Sequence, residues 1–284
     1  IYIAITIMDP SAPQTDTDIM VIKYSILRHE IVWKRIWDSG CNETVGSVVA
    51  FGSDIYIGGN IENGSSGKDI LILKYNDDGD YVSNMTLELS DFDEGILDMY
   101  VDNSGTIYMV GYVDVVNEEA TNKDLLIMKL NTTSMEIRSA TWGGNETEVG
   151  YSVTIWYEYL YVAGCMESSD GCYRDVLFAI WGREKLNLIN YYVWDSGYDE
   201  TGYFVDTDST GNIYLTGSIS LEEGEGILVL GYLLGSPSNQ AEEKYPIMRK
   251  EAFLSSIIKT IVGIVAIPLV SMISGWFIIR YRRR

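Results

Sequence analysis

Residues 55–59 read Ile-Tyr-Ile-Gly-Gly, and this phrase decides the fold because close variants of it recur along the chain. The variants stand at residues 1–5, 107–111, 160–164 and 213–217. Their tyrosines follow one another at intervals of 52 to 54 residues. A fixed period of this length is typical of proteins built from stacked structural repeats.

Two further patterns keep the same register. An aliphatic run that begins with Asp or Gly follows each phrase, at residues 18–24, 69–75, 124–130, 175–181 and 226–232. A tryptophan followed by a glycine-containing turn separates several units, at residues 37–40, 142–144 and 194–197. Three independent patterns in one register predict that residues 1–234 are a series of equivalent units.

Each period contains four strand-like runs, which in one unit are residues 149–154, 159–165, 176–181 and 186–194. The middle runs are almost continuously apolar, as expected of strands covered on both faces. One four-stranded sheet cannot bury both faces alone, whereas sheets packed face to face around an axis can. The sequence therefore predicts an all-β fold: a β-propeller of four-stranded blades with about five repeat units, followed by a single transmembrane α-helix.

The units resemble the SBBP-type β-propeller repeat of bacterial and archaeal surface proteins. The match is best over residues 195–217, where the residues on the repeat pattern are Asp206, Gly211, Asn212, Tyr214 and Gly217. The resemblance covers about residues 1–234 and brings no catalytic residues with it. It implies an extracellular or envelope location and a binding, adhesive or structural role.

The units at the two ends differ from the others. The chain opens at the second strand of one unit and closes after the third strand of another, which predicts about 18 strands. Either five blades close with two of them short, or further blades lie upstream of Ile1.

The charge balance excludes one class of partner. The chain carries 41 acidic and 20 basic residues, for a formal net charge of −21. Nucleic-acid binding requires a basic surface that displaces counterions from phosphates, so we expect no nucleic-acid partner. The acidity itself predicts a well-solvated, self-repelling surface, with a cation-binding surface as the alternative.

A membrane anchor is predicted near the C-terminus. Residues 260–279, from Thr260 to Ile279, carry no charge over a length that spans the hydrocarbon core of a bilayer. Pro268 would kink this helix, and Trp276 lies where an interfacial aromatic residue anchors one end. The arginines that follow, and that place this end in the cytoplasm by the positive-inside bias, are Arg280, Arg282, Arg283 and Arg284.

We therefore expect a single-pass cell-membrane protein with an extracytoplasmic propeller and with lipid as a partner of residues 260–279. Between propeller and anchor, residues 235–246 are predicted to be a polar linker. Residues 247–259 are amphipathic and predict a juxtamembrane stalk or an interfacial helix. Residues 280–284 form the basic cytoplasmic tail.

Five sequons predict N-linked glycans on a surface protein, at Asn42, Asn63, Asn84, Asn131 and Asn145. Asn42 and Asn145 occupy one position of the repeat, where the last unit has Asp199. A turn or capping role for a short acceptor side chain is therefore the alternative at these two positions.

Two other candidate sites stand in loops. Asp206, Asp208 and Thr210 have the alternating oxygen ligands of a short calcium loop, with an ordinary hairpin turn as the alternative. Cys165 and Cys172 flank a short loop that a disulfide would close, and two independent thiols are the alternative. No other cofactor is predicted.

The sequence contains no recognisable catalytic motif. Its single histidine, His29, has no nucleophile pattern around it. We therefore expect a non-enzymatic surface scaffold or a protein- or glycan-binding module, with protein partners at the cell surface or in the membrane. The alternatives are an accessory single-span subunit that caps a larger membrane complex and an extracellular polysaccharide hydrolase or lyase.

Overall fold

The computed structural model describes residues 1–9, 16–62, 67–116, 121–167, 173–221, 224–234 and 248–251. These residues form 19 β-strands in five consecutive antiparallel sheets. In every sheet the strands pair in chain order, so each sheet is a simple meander. The predicted all-β class is confirmed for this part of the chain.

The first sheet has three strands, namely β1 (Tyr2–Asp9), β2 (Asp16–Ser25) and β3 (Glu30–Trp37). The second sheet consists of β4 (Asn42–Phe51), β5 (Asp54–Glu62), β6 (Lys68–Asn76) and β7 (Tyr81–Leu87). The third consists of β8 (Glu94–Val101), β9 (Thr106–Val116), β10 (Thr121–Asn131) and β11 (Ile137–Trp142).

The fourth sheet consists of β12 (Glu148–Trp156), β13 (Tyr159–Glu167), β14 (Arg174–Gly182) and β15 (Asn187–Trp194). Its strands lie where the apolar runs of that unit predicted them. The fifth consists of β16 (Asp199–Thr207), β17 (Ile213–Leu221), β18 (Gly224–Leu234) and β19 (Met248–Glu251).

The strand β19 corrects one part of the sequence analysis. Residues 248–251 were expected in the juxtamembrane stalk or interfacial helix of residues 247–259, and the fifth unit was expected to end after three strands. Instead, Met248 pairs with Leu234 and Glu251 pairs with Gly231, which completes a fourth strand. An edge strand such as β18 presents a row of unpaired backbone groups, and a fourth strand satisfies them.

Successive sheets pack face to face and together form a β-propeller. Each of the four interfaces holds its own buried apolar cluster, formed by the middle strands of one sheet and the first three strands of the next. At the fourth interface, for example, the rings of Tyr161, Phe178 and Tyr232 stack at centroid distances of 4.5 to 6.0 Å. Because a fully buried large apolar side chain stabilises a fold by about 1.5–3 kcal/mol, these clusters hold the sheets together.

The repeated phrase ends in glycine because the strand beside it is bulged. The first strand of the second sheet shifts register between Val45 and Ser47, directly opposite Gly59. A Cβ atom at Gly59 would lie 1.9 Å from the Thr44 carbonyl oxygen. The same bulge recurs in β8, β12 and β16, opposite the last glycine of each phrase.

The first sheet departs from this rule. Its phrase ends in Ile5 rather than glycine, and β1 pairs only with β2 among the described residues. The isoleucine is tolerated because no bulged strand lies against it there.

Candidate functional site

A cleft of about 590 Å³ lies between the third and fourth sheets. Turn residues and strand ends of both sheets line it, and none of the lining side chains is aliphatic. The lining contains three cations, Lys129, Arg138 and Arg183, and three carboxylates, Glu136, Glu158 and Glu184. The cleft is therefore strongly polar but balanced in charge.

Arg183 ties the two sheets together at this cleft. Its Nε donates to the Tyr108 hydroxyl at 2.9 Å, its Nη1 donates to the Tyr157 carbonyl at 3.3 Å, and its Nη2 pairs with the Asp102 carboxylate. Asp102 also accepts hydrogen bonds from the Ser104 and Thr106 amides. Burial acts to raise the pKa of Asp102, but these hydrogen bonds and the Arg183 charge outweigh it, so the pKa lies below its ordinary value. The base of the cleft is thus a fixed, ionised network.

Tyr157 stands at the rim in a conformation that tyrosine rarely adopts. Its φ is 51°, in the left-handed region. The equivalent turn of the second sheet has Gly52, with φ 62°. The Tyr157 side chain is 75% exposed, and its ring meets that of Trp156 edge to face at 5.0 Å. Left-handed geometry at a bulky residue is costly, and such strain clusters at binding sites.

Two of the cleft carboxylates face cations. Glu136 lies 2.8 Å from an Arg138 nitrogen, and Glu184 lies 3.6 Å from the Lys129 ammonium. Lys129 also donates to the Glu184 carbonyl at 2.7 Å. The Glu136–Arg138 pair is exposed on both sides, and such pairs contribute at most about 1 kcal/mol, so a ligand can replace it at small cost.

A second group of polar residues is buried at the sheet interfaces. Each interface contains a glutamate at or near the start of the first strand of one sheet and an aspartate near the start of the next-to-last strand of the preceding sheet. We call these the interface carboxylate pairs: Asp18 with Glu43, Asp69 with Glu94, Asp124 with Glu148, and Asp175 with Glu200. All four glutamates are at most 1% exposed.

Burial is the main reason that the glutamates of these pairs have raised pKa values. It raises the pKa of Glu43 and of Glu148 from 4.5 to about 7, and the neighbouring aspartate charge adds to the shift. The pKa values of Glu94 and Glu200 are raised for the same reasons. No substrate can reach side chains so deeply buried, so we assign the pairs no catalytic role.

Asp98 joins three neighbouring first strands. It accepts hydrogen bonds from the Ser47 hydroxyl of β4 at 3.1 Å, and from the Ser152 hydroxyl and Val153 amide of β12 at 2.9 and 3.0 Å. This one carboxylate on β8 therefore holds the second, third and fourth sheets in register at their first strands.

The predicted calcium residues lie in a hairpin. The Asp208 carboxylate accepts hydrogen bonds from the Thr210 amide and hydroxyl at 2.8 and 2.7 Å and from the Asn212 amide at 3.0 Å. Asp206 instead faces β12, where it accepts from the Thr154 hydroxyl at 3.3 Å. Asp102 makes the same turn bonds as Asp208. Hydrogen bonds within the hairpin thus occupy the Asp208 carboxylate, and calcium binding at this turn stays a prediction.

The glycosylation sequons that the structure describes lie at the surface or near it. Asn84, Asn131 and Asn145 are exposed, whereas Asn42 is half-buried and donates to Glu62 at 3.1 Å. Asn63 lies outside the described residues. Glycosylation at any of these positions stays a prediction.

The cysteine and membrane predictions fall largely outside the described residues. Cys165 is buried on β13, 3.9 Å from the Tyr151 hydroxyl, and burial raises its pKa to about 11. Its predicted partner Cys172 is not described, and neither are residues 252–284 with the predicted anchor. Within the part of the chain that is described, we find no helix with the length and apolarity that a membrane crossing requires.

Comparison with known proteins gives a likeness of fold only. No protein-family model and no curated protein matches the chain. Among solved structures, the chain is similar to YjhT, with 14% identity over 76% of this chain and 75% of the other and a TM-score of 0.45. It is also similar to a thermostable family-43 glycoside hydrolase, with 10% identity over 80% and 88% of the two chains and a TM-score of 0.44.

A xylan β-1,4-xylosidase from Bacillus halodurans C-125 is similar as well. The identity is 11%, the TM-score is 0.42, and the match covers 87% of this chain but only 52% of the xylosidase. This chain therefore spans about half of that enzyme.

Several of these solved structures are named as glycoside hydrolases, which is a property of those proteins and adds nothing to the likeness of fold. We nevertheless withdraw the prediction of a non-enzymatic module, because the lack of a recognisable motif excludes no activity. The prediction rested on the absence of a catalytic motif from the repeated strands. Several cleft residues lie in turns outside the repeated phrases, among them Tyr157, Glu158 and Arg183, so the repeat pattern holds no information about them. The propeller part of the proposed family resemblance is confirmed, and the SBBP repeat type stays a prediction.

Sequence reasoning missed both the cleft and the interface carboxylate pairs. A signal for the pairs was present, because the glutamates recur at 43, 94, 148 and 200 in the register of the phrase. For the cleft, the one signal was Tyr157 in the turn position that Gly52 holds in the second unit.

Proposed function

We propose that this chain is a membrane-anchored, extracytoplasmic β-propeller enzyme that hydrolyses a neutral glycan in the cleft between its third and fourth sheets. The observation that carries the proposal is the cleft itself: a polar lining with three carboxylates and balanced charge, beside an exposed tyrosine held in a strained turn. The solved structures of similar fold do not carry it.

The lining fits a sugar better than other ligand classes. A sugar presents many hydroxyl groups, and the cleft offers donors and acceptors of every kind, from Ser104 and Asn131 to Arg183. The equal number of cations and carboxylates favours an uncharged ligand over a strongly charged one. The exposed Tyr157 ring provides a flat apolar surface beside these polar groups, which suits the face of a sugar ring.

The carboxylates supply the chemistry. Hydrolysis of a glycosidic bond ordinarily requires two carboxyl groups, one that protonates the leaving oxygen and one that acts as base or nucleophile. We assign these roles jointly to Glu158 and Glu184, which stand in two turns of the fourth sheet, as Tyr157 does. Glu136 lies across the cleft on the third sheet, held by Arg138.

The location belongs to the same proposal and rests on the sequence. The apolar segment 260–279 and the basic residues 280–284 support a single span with its C-terminus in the cytoplasm. The sequons and the resemblance to SBBP-type surface repeats support a propeller on the outside. A glycan of the cell envelope or its surroundings is then within reach of the cleft.

The test is the release of reducing ends by the purified full chain in detergent, across a panel of neutral polysaccharides. We expect turnover on at least one of them and a loss of at least about 100-fold in kcat for Glu158→Gln and for Glu184→Gln. Glu30→Gln, an exposed carboxylate on β3 of the first sheet, is the matched control and should keep the wild-type rate. Absence of release from every glycan, or wild-type rates for both cleft variants, would overturn the proposal.

A further inference from the structure

Three carboxylates from three different elements meet at the interface of the fourth and fifth sheets. Asp175 begins the buried part of β14, Asp195 stands in the turn after β15, and Glu200 lies at the start of β16. One carboxylate oxygen of each lies within 4.8 Å of those of the other two. The fold therefore concentrates three acidic groups in a space suited to one ion.

Glu200 distinguishes this cluster from a group of surface carboxylates, because it is buried and one of its oxygens lacks a partner among the described residues. Its side chain has no solvent exposure. One of its oxygens accepts from the Ser196 hydroxyl, and its Oε2 has no hydrogen-bond partner among the described residues. A buried carboxylate oxygen without a partner is costly, and proteins compensate such groups by pairing them or by using them to coordinate a metal ion.

Arg174, the residue before Asp175, does not pair with the Glu200 carboxylate. Arg174 precedes Asp175 in β14 and binds Asp199, with its Nη2 at 2.8 Å and its Nε at 3.1 Å from the Asp199 oxygens. Because successive residues of a strand point to opposite faces, Arg174 and Asp199 pair on the side away from Asp175 and Glu200. Burial raises the pKa of Glu200, a hydrogen bond from Ser196 acts against this, and the Asp175 and Asp195 charges raise it further.

The first interface has a related cluster of different composition. There the turn at residues 37–40 has the same Trp-Asp-Ser-Gly sequence as residues 194–197. The oxygens of Asp16, Asp18 and Asp38 lie within 4.8 Å of one another, and the charges of Asp18 and Asp38 act on Glu43. Glu43 is fully buried, with an Oε2 that lacks a hydrogen-bond partner among the described residues.

The two middle interfaces provide internal comparisons. They keep the interface carboxylate pairs, but Leu89 and Gly143 stand where the other turns have Asp38 and Asp195. Among the described residues, the fourth interface thus combines a buried pair with a third, exposed carboxylate through which an ion can enter, whereas the group at the first interface contains Asp18 and Asp38 but not Glu43.

We propose that the fourth interface binds a divalent cation of the calcium or magnesium type through Asp175, Asp195 and Glu200. The donors are all oxygens, which hard cations prefer, and no histidine or cysteine belongs to the group. The bound ion joins the third strand of the fourth sheet to the first strand of the fifth. The site lies apart from the cleft and is independent of any enzymatic activity.

The test is calcium and magnesium binding by the full chain in detergent after treatment with a chelator, measured by isothermal titration and by the shift in unfolding temperature. We expect one ion per chain for the wild type. Glu200→Gln should lose it, because the glutamine oxygen still accepts the bond from Ser196 but the charged ligand is removed. Glu148→Gln, which changes a similarly buried pair without a third carboxylate, should keep it.

Asp195→Asn is a second test variant, and it leaves the residues of the buried core unchanged. Asp195 is exposed, and the asparagine oxygen can still accept the Gly197 amide, which now lies at 2.6 Å. We expect at least a tenfold weaker affinity for the ion. The inference would be overturned if neither metal bound the wild type at millimolar concentration, or if both variants bound as many ions as the wild type with unchanged affinity.

Discussion

Glu148 permits a direct test of the interface carboxylate pairs. Its side chain is 1% exposed on β12. Burial raises its pKa from 4.5 to about 7; a hydrogen bond from the Gly144 amide opposes the shift, and the charge of Asp124 adds to it. We expect Glu148→Gln to remove a pH dependence of stability, because glutamine has the same shape and cannot ionise.

The size and sign of this effect follow from the two pKa values. In the unfolded chain the glutamate keeps its ordinary pKa of 4.5, so between about pH 4.5 and 7 the folded protein binds the extra proton. The stability that this proton contributes is fully present below pH 4.5 and is lost as the pH rises through 7. At about 1.36 kcal/mol per pKa unit the shift corresponds to about 3 kcal/mol, and we expect about 2–3 kcal/mol after screening by the solvent.

The assay is urea unfolding of the full chain in detergent, with a chelator present, at pH 5 and pH 8. The variant should match the wild type at pH 5 to within about 1 kcal/mol and exceed it by about 2–3 kcal/mol at pH 8. Glu88→Gln, on the exposed turn after β7, should change the free energy of unfolding by less than about 0.5 kcal/mol at either pH. The reasoning is refuted if the difference between Glu148→Gln and the wild type is the same at both pH values.

Three other substitutions test the fold and the cleft. Gly164→Ala should destabilise the chain by about 3 kcal/mol or more in urea unfolding, since its Cβ would lie 2.0 Å from a β12 carbonyl oxygen, whereas Gly144→Ala meets nothing within 4 Å and should be nearly neutral. Tyr157→Asn should keep the free energy of unfolding within about 1 kcal/mol, because asparagine tolerates positive φ, while KM for the glycan rises; an unchanged KM would remove the tyrosine from the site. Arg183→Leu should cost about 2–4 kcal/mol in the same unfolding assay by leaving the nearly buried Asp102 without its cation, and a cost below about 0.5 kcal/mol would contradict the anchoring role.

The strands and their grouping into sheets could be predicted from the sequence because both depend on the regular spacing of apolar residues. The runs at 69–75 and 175–181 are buried along almost their whole length, and they form the third strands of two sheets as predicted. The corresponding strand holds buried apolar residues in every unit, so the same apolar run recurs in every repeat of the sequence.

The remaining features depend on contacts that no periodicity records. The strand β19 contains only Met-Arg-Lys-Glu, which has no strand-like pattern, and it pairs because β18 offers a free edge. The cleft depends on how Arg183 reaches Asp102, 81 residues away in sequence, across two sheets. Asp175 and Glu200 likewise come together only when the fourth and fifth sheets pack face to face, so no local sequence pattern predicts the pair.

Five similar units in one chain create a difficulty during folding, since any first strand resembles every other. While the chain is forming, β4, β8, β12 and β16 are all candidates to pair with the exposed edge of β1. Each of them carries a bulge that places a carbonyl oxygen about 1.8–2.0 Å from the position of a Cβ atom on its partner, which only glycine accommodates. Ile5 occupies that position on β1, so the side chain rejects all four strands, whether they come from the same molecule or from a neighbouring copy. A single residue thereby protects β1 from pairing with the wrong repeat and from strand exchange between chains.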